Sequence, residues 1–243
     1  MLLALDIGNS HVVCAVHDTI KWTHSIRISS NLDFWNKFKT LKEYNITHAA
    51  ISSVVPRLTS VYEESIRNIF HINPFIISHK NSDVELEVDI PEEVGTDRIC
   101  NTAAAKELAG CPVIIGDIGS ATNYDVVDER GVFIGGAIAP GLATAAQNLY
   151  EKAALLKETA FTVPTSAIGR NTETNLQSGI MLGAIDVVDG MFARILKEAR
   201  WENPHKIITG GFGELISPHL ETKHSLIPTL TLDGIRIIYE KSK

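Results

Sequence analysis

Two carboxylates sit in matching surroundings near the start and the middle of the chain. Asp6 stands in LLALDIGNSHVVCAVHD and Asp117 in PVIIGDIGSATNYDVVDERG, each followed two residues later by a glycine, Gly8 or Gly119. Apolar runs on both sides make each stretch read as strand, tight turn and antiparallel strand, with one carboxylate at the turn. A turn free of bulky side chains lets backbone N–H groups approach phosphate oxygens, and the Asp can hold a cation such as Mg²⁺ directly or through water. Asn9, Ser10 and His11 add polar groups at the first turn, Ser120 and Thr122 at the second. The alternative is a pair of ordinary hairpins, because Asp and Gly are good turn formers anywhere.

A third carboxylate lies in Gly95-Thr96-Asp97-Arg98, at the start of a predicted helix. An adjacent Asp and Arg suit phosphoryl transfer to an alcohol, one accepting the proton and the other neutralising an anion. A carboxylate in a first helical turn equally complements the helix dipole, a contribution of ~0.3–1 kcal/mol. Gly210-Gly211 after a short apolar run leaves room for a flat ring such as a nucleotide base, or simply turns a strand into a helix. The histidines form no HExxH pair, and GxSxG, GxxxxGK[ST] and GxGxxG are absent.

These residues need elements to position them. Asp6 and Asp117, Gly8 and Gly119, and Val16 and Val127 share an offset of 111 residues, which reads as an architectural duplication. After the first hairpin, Ile20–Ile28 alternates as a third strand. Phe34, Phe38, Leu41 and Tyr44 carry helical spacing behind a cap at Asn31 or Asp33. Ala49–Val55 is a buried strand, Pro56 opens a helix through Phe70 with Leu58, Val61, Ile66 and Ile69 inward, and Pro74–Ser78 returns as a strand. Lys80–Glu92 is polar and acidic and reads as a mobile loop. Thr96–Leu108 is helical, with Ile99, Ala103 and Leu108 on its apolar side. Val132–Ile138 is a third strand of the second unit, followed by a helix from about Leu142 and an irregular stretch, Thr159–Gly169. A long helix, Thr172 to about Arg200, has Gly179, Gly183 and Gly190 as close-approach positions. Lys206–Thr209 is a strand and Leu232–Tyr239 a terminal helix. Strands alternating with helices predict an α/β fold with mixed sheets.

With 243 residues and 44% hydrophobic content, the chain suits one large or two modest domains with a sizeable core. A net charge of −7 without a Lys/Arg cluster argues against a nucleic-acid partner. Cys14, Cys100 and Cys111 lack metal-ligand spacing and read as reduced thiols of a cytoplasmic protein. The N-terminus reads as a buried strand rather than a signal peptide, and no apolar run approaches the ~20 residues of a membrane span.

The segments LDIGNSHV, PEEVGTDRICNTAAA, DIGSATNYDVV, GGAIAPGL, IGRNTETNLQSGI and ITGG fall in the order and spacing of type III pantothenate kinases. The duplicated hairpins resemble the wider superfamily of actin, heat-shock chaperones and sugar kinases. This resemblance implies two duplicated ribonuclease-H-like (actin-like ATPase) domains around a nucleotide cleft, about 1–109 and 110–243. It also implies ATP-dependent phosphorylation of pantothenate, the first step to coenzyme A, by a homodimer with its acceptor site near the subunit interface. By the same resemblance, Asp97 is the general base, and Gly95, Thr96, Asp97, Arg98 and Thr172 bind pantothenate. Asp6, Ile7, Gly8, Asn9, Ser10, His11, Val12, Val13 and Ser120 bind ATP, with Mg²⁺. Asp117 holds a monovalent cation, K⁺ or NH₄⁺.

The chain departs from the family pattern at several positions. Ser10 and Ser120 replace the usual Thr but keep the hydroxyl. Val88 stands where a Tyr often packs on pantothenate, and Glu151–Leu156 differs from the usual Asn-Thr-Ala-x-Leu-Pro run. A superfamily kinase for another small alcohol and a non-catalytic ATP-binding regulatory homologue are the alternatives.

Overall fold

The computed structural model describes residues 1–30 and 35–243. Leu2–Ile7 (β1) and His11–His17 (β2) form the first hairpin, and Trp22–Ser29 (β3) continues it antiparallel. A short helix, Trp35–Lys39 (α1), and a 3₁₀ turn, Thr40–Glu43, lead to His48–Ser53 (β4), which runs parallel to β1. Pro56–Phe70 (α2) and Phe75–Ile76 (β5) complete a five-stranded sheet in the order β3-β2-β1-β4-β5. Thr96–Leu108 (α3) ends this first stretch. The expected cap at Asn31 or Asp33, and Phe34 with it, lie outside the described residues.

The second sheet repeats the plan. Val113–Ile118 (β6) pairs antiparallel with Ala121–Val127 (β7), and Phe133–Pro140 (β8) follows. Leu142–Lys152 (α4), Thr172–Gln177 (α5), a π-helical turn at Ser178–Leu182 and Gly183–Ala199 (α6) cross to His205–Thr209 (β9), parallel to β6. Gly213–Ile216 (α7) and Ser225–Leu226 (β10) complete it in the order β10-β9-β6-β7-β8. Each central strand thus pairs antiparallel with its hairpin partner and parallel with the strand that returns after a crossover. β1 and β6 even share one burial pattern, with the Asp as the half-buried exception among buried residues.

The duplication slips by one residue past the turn. Asp6 faces Val13 across the first hairpin, whereas Asp117 faces Asn123, so the second loop is one residue tighter. The offset of 111 holds up to the turns, and Val16 matches Val126 rather than Val127 in register. A one-residue slip would reverse the faces of a strand, so the shorter loop keeps Tyr124 and Val126 inward.

Period-two alternation builds the first core. Leu3, Leu5 and Ile7 pack with Val12, Cys14 and Val16 against Tyr62 and Ile66 of α2. Leu2 and Ala4 face the other way, onto Ile99, Cys100 and Ala103 of α3. Tyr62 takes the inward place expected for Val61, which is exposed, as is Leu108 at the end of α3.

The chain divides into two compact units, Met1–Ala109 with Gly131–Ile134 and Thr229–Lys243, and Gly110–Arg130 with Gly135–Pro228. The expectation of a single cut at residue 110 therefore needs correction at the C-terminal end. Leu230–Lys241 (α8) packs in the first unit, with Leu232, Ile235 and Ile238 buried against α3 and β1 residues. Its Gly234 lies directly on the Cys100 carbonyl, where no side chain fits. Trp22 Nε1 donates to Asp233 (2.9 Å) and Thr231 Oγ1 to Asn101 Oδ1 (2.8 Å), tying α8 to β3 and α3.

The polar run 80–92 is a built segment rather than a mobile loop. Its side chains alternate: Ser82 and Val84 are buried, Leu86 and Val88 pack on the core, and Asp83, Glu85, Glu87 and Asp89 face out. Glu87 N–H donates to the Phe133 carbonyl and Phe133 N–H to the Glu85 carbonyl, both at 2.9 Å. Apolar Val84, Leu86 and Val88 alternate with acidic neighbours here, a pattern that the segment's overall acidity masks.

Candidate active site

The first turn hangs on the ends of β1 and β2. Gly8 N–H donates to the His11 carbonyl at 3.0 Å, closing the loop. Ser30, just past β3, braces it from outside: its N–H donates to the Ser10 carbonyl and its hydroxyl to the Gly8 carbonyl, each at 3.0 Å. Asn9, Ser10 and His11 are exposed at the tip. Ile7 and Val12 are buried in the core, so they offer a ligand only their main chain. Asp6 lies half-buried opposite Val13 on one side and Ser52 of β4 on the other. The His11 imidazole is held below its usual pKa by partial burial and by the nearby Arg27 charge, so it is neutral near pH 7.

Ser52 links this strand end to α3. The Thr96 hydroxyl lies 3.0 Å from Ser52 Oγ, accepts the Ser53 N–H (2.9 Å) and reaches the Ser53 carbonyl (3.1 Å). Thr96 therefore fastens the α3 N-terminus to β4. Asp97 follows directly, and its Oδ1 accepts the Arg98 N–H at 2.9 Å. A side chain on Gly95 would collide with that carboxylate, which explains glycine there. Burial raises the Asp97 carboxyl above the ordinary range, while the Arg98 N–H and guanidinium pull it back in part. Arg98 in turn lies over the Phe133 ring, 5.2 Å from its centroid. Cys100 sits behind this group; burial pushes its thiol far up, and both the Asp6 and Asp97 charges add to that. One buried thiol thus feels both carboxylates, so the first unit gathers Asp6, Ser52, Thr96 and Asp97 into one neighbourhood.

In the second unit, Asp117 occupies the position of Asp6 on the central strand. Gly119 N–H closes the turn onto the Ala121 carbonyl at 2.9 Å. The Ser120 carbonyl accepts from Gly141 N–H (3.2 Å) and from Thr144 Oγ1 (2.7 Å), so the start of α4 braces this turn as Ser30 braces the first. A side chain on Gly141 would meet the Gly119 and Ser120 carbonyls. Gly210, at φ +89°, passes so close to Asp117 Oδ1 and the Ile118 backbone that only glycine fits. Asp117, Ser120 and Gly210 are therefore neighbours. Thr172 stands exposed in the first turn of α5, whose start is closed by a capping box between Asn171 and Thr174.

Sequence reading missed the supporting residues. Ser52 and Thr144 act only through contacts distant in the chain, so their spacing carried no signal. Arg27 looked like one polar position in an alternating strand.

Two sheets of one topology, each with an Asp-x-Gly hairpin at the end of its central strand, define an actin-like fold of two duplicated ribonuclease-H-like units. The fold resembles a Campylobacter jejuni protein described as a Baf family transcriptional activator (TM-score 0.62, 19% identity, 98% of each chain). It also resembles a Sinorhizobium meliloti protein described as a 2-dehydro-3-deoxygalactonokinase (TM-score 0.58, 10% identity, 100% and 98% covered). The type III pantothenate kinase family profile matches residues 2–194. Type III pantothenate kinases of Citrifermentans bemidjiense (38% identity, 100% of both chains) and Thermomicrobium roseum (38%, 99% and 97%) align along the whole length. The chain belongs to the type III pantothenate kinase family.

Proposed function

We propose that the protein transfers the γ-phosphoryl group of ATP to the primary hydroxyl of pantothenate, giving ADP and 4′-phosphopantothenate, the first step of coenzyme A biosynthesis. Full-length similarity to named pantothenate kinases supports the reaction. The observation that carries the mechanism is Asp97, a half-buried carboxylate of raised basicity at the start of α3, adjoining Arg98. In this reading Asp97 accepts the hydroxyl proton as the oxygen attacks phosphorus, and passes it to solvent after ADP leaves. Thr96 positions Asp97 by pinning α3 to β4. Arg98 orients the acceptor from its seat over Phe133, and Gly95 keeps space open beside the carboxylate.

Asp6 through Val13 and Ser120 bind the ATP phosphates, largely through main-chain groups. No cluster of three His, Cys, Asp or Glu suited to a metal occurs among the described residues. That suits Mg²⁺, which keeps most of its water and arrives with the nucleotide, leaning on one or two carboxylates. Asp6 fits that part, and the ion neutralises phosphate charge when bound. Asp117, pressed against the Gly210 backbone, is the ligand for K⁺ or NH₄⁺.

The protein acts as a homodimer. Within the second unit, α4, α5 and α6 and the face of β7 line an apolar cavity of about 610 Å³ that includes Tyr124, Leu142, Leu149, Ile180 and Val187. Ile138, Leu149 and Val187 are exposed beside it, and Gly179 and Gly183 have open space where a Cβ would stand. This surface supports a second copy as occupant, with Thr172 on the adjacent α5 reaching the acceptor. No helix among the described residues is long and apolar enough to cross a membrane.

An ADP-release assay with pantothenate, pantetheine, sugars and no acceptor tests the reaction. Release dependent on pantothenate is expected; preference for a sugar, or release independent of acceptor, overturns it.

A further inference from the structure

Arg27, whose guanidinium reaches His11 at the first turn, has no role above. On β3 it faces Val13 of β2, Val13 faces Asp6 of β1, and Asp6 faces Ser52 of β4. Partners directly opposite in a sheet point to the same face. That face is the one carrying Val13 and α3, since the neighbours Ile26 and Ile28 pack into the opposite core. Arg27 therefore shares a row and a face with Asp6 and with Ser52, the residue that holds the Asp97 helix.

Its guanidinium is poised rather than neutralised. Nη2 donates to His11 Nδ1 at 3.2 Å, and both side chains are exposed. Among the described residues Arg27 makes no ion pair, although the chain carries a net charge of −7. Because Nδ1 accepts from Arg27, the neutral His11 ring carries its proton on Nε2, a second donor at the turn. A guanidinium without a carboxylate, held beside a phosphate-sized turn, is built for an anion.

We propose that Arg27, steadied by His11, binds the β- and γ-phosphates of the nucleotide. This rests on the kinase reading of the same turn and adds a cation that the turn's own residues lack. His11 sets where the guanidinium points, and a phosphate arriving over the turn takes the remaining Arg27 donors as charge-assisted hydrogen bonds. The AMP portion makes no use of Arg27.

Calorimetric titration of the full-length protein with AMP, ADP and a non-hydrolysable ATP analogue, in Mg²⁺ and without pantothenate, tests this. Arg27→Gln should weaken ADP and the analogue about ten-fold, the scale of a hydrogen bond to a charged group, and leave AMP and the melting temperature unchanged. Arg27→Lys should recover part of the loss, and the pantothenate KM should not move. Unchanged ADP affinity in Arg27→Gln, or equal loss for AMP, overturns the proposal. So does a lowered melting temperature with parallel loss of every ligand, which marks a strand staple. A wild-type protein that binds ADP but does not use pantothenate overturns the acceptor reading and leaves Arg27's role standing. One that binds no nucleotide overturns both.

Discussion

Asp97→Asn should disable the enzyme and stabilise the fold at once. The substitution is nearly isosteric, and the Asn carbonyl can still accept the Arg98 N–H that Asp97 Oδ1 takes at 2.9 Å. Proton acceptance is lost, so kcat should fall by about 10²–10⁴, equivalent to ~3–5 kcal/mol of barrier. Nucleotide affinity should persist, since Asp97 lies on α3 rather than in the turn. Stability moves the other way. Burial raises the Asp97 carboxyl, so the folded state takes its proton more readily than the unfolded chain does. Near neutral pH the ionised group is a burden, and Asn removes it. As pH falls through the raised pKa toward the ordinary carboxylate value, protonation relieves the wild type and the difference closes. Thermal melts from pH 4 to 8, with a coupled ADP assay at pH 7.5, read both effects. Activity within a few-fold of wild type would return Asp97 to the role of a first-turn carboxylate. A lower melting temperature for Asp97→Asn at pH 7 would refute the burial argument.

Further substitutions probe the other parts. Val88 packs half-buried on the α3 side of the first sheet, so Val88→Tyr should overpack that core and cost ~1–3 kcal/mol, seen as a lower denaturation midpoint, rather than simply gaining an acceptor contact. An unchanged midpoint with a lower pantothenate KM would show that the ring finds the acceptor instead. Activity should require K⁺ or NH₄⁺ and be low in Na⁺ alone, with the dependence lost in Asp117→Ala; equal wild-type rates in all three salts exclude the cation role. Val187→Glu places a charge on the exposed apolar face of α6 and should yield monomers in light scattering, with pantothenate KM rising as the subunits part. A variant that remains dimeric would move the interface elsewhere.

Much of the frame was legible because its signals are local. Apolar alternation around Asp6 and Asp117 marked both hairpins, and Pro56 and the Gly210-Gly211 pair marked element ends. What escaped depends on partners far along the chain. Nothing in the C-terminal sequence says that α8 returns to the first unit; only its match to the small-residue face of α3, at Gly234 on Cys100, decides it. The acidic run 80–92 hid its alternation because outward Asp and Glu dominate its composition. Gly179, Gly183 and Gly190 read as close-approach positions, yet among the described residues nothing lies within 4 Å of a Cβ placed there. The one-residue difference between the two turns is invisible to an ungapped offset and appears only in the strand register.

Phosphorus NMR of the reaction of purified protein with ATP, Mg²⁺, K⁺ and pantothenate tests the proposed chemistry most directly. One new phosphomonoester should appear on the primary hydroxyl of pantothenate, equal in amount to the ADP formed, and stay below detection over the same interval with Asp97→Asn. ADP accompanied only by inorganic phosphate, or a phosphoryl group on the secondary hydroxyl, would contradict it.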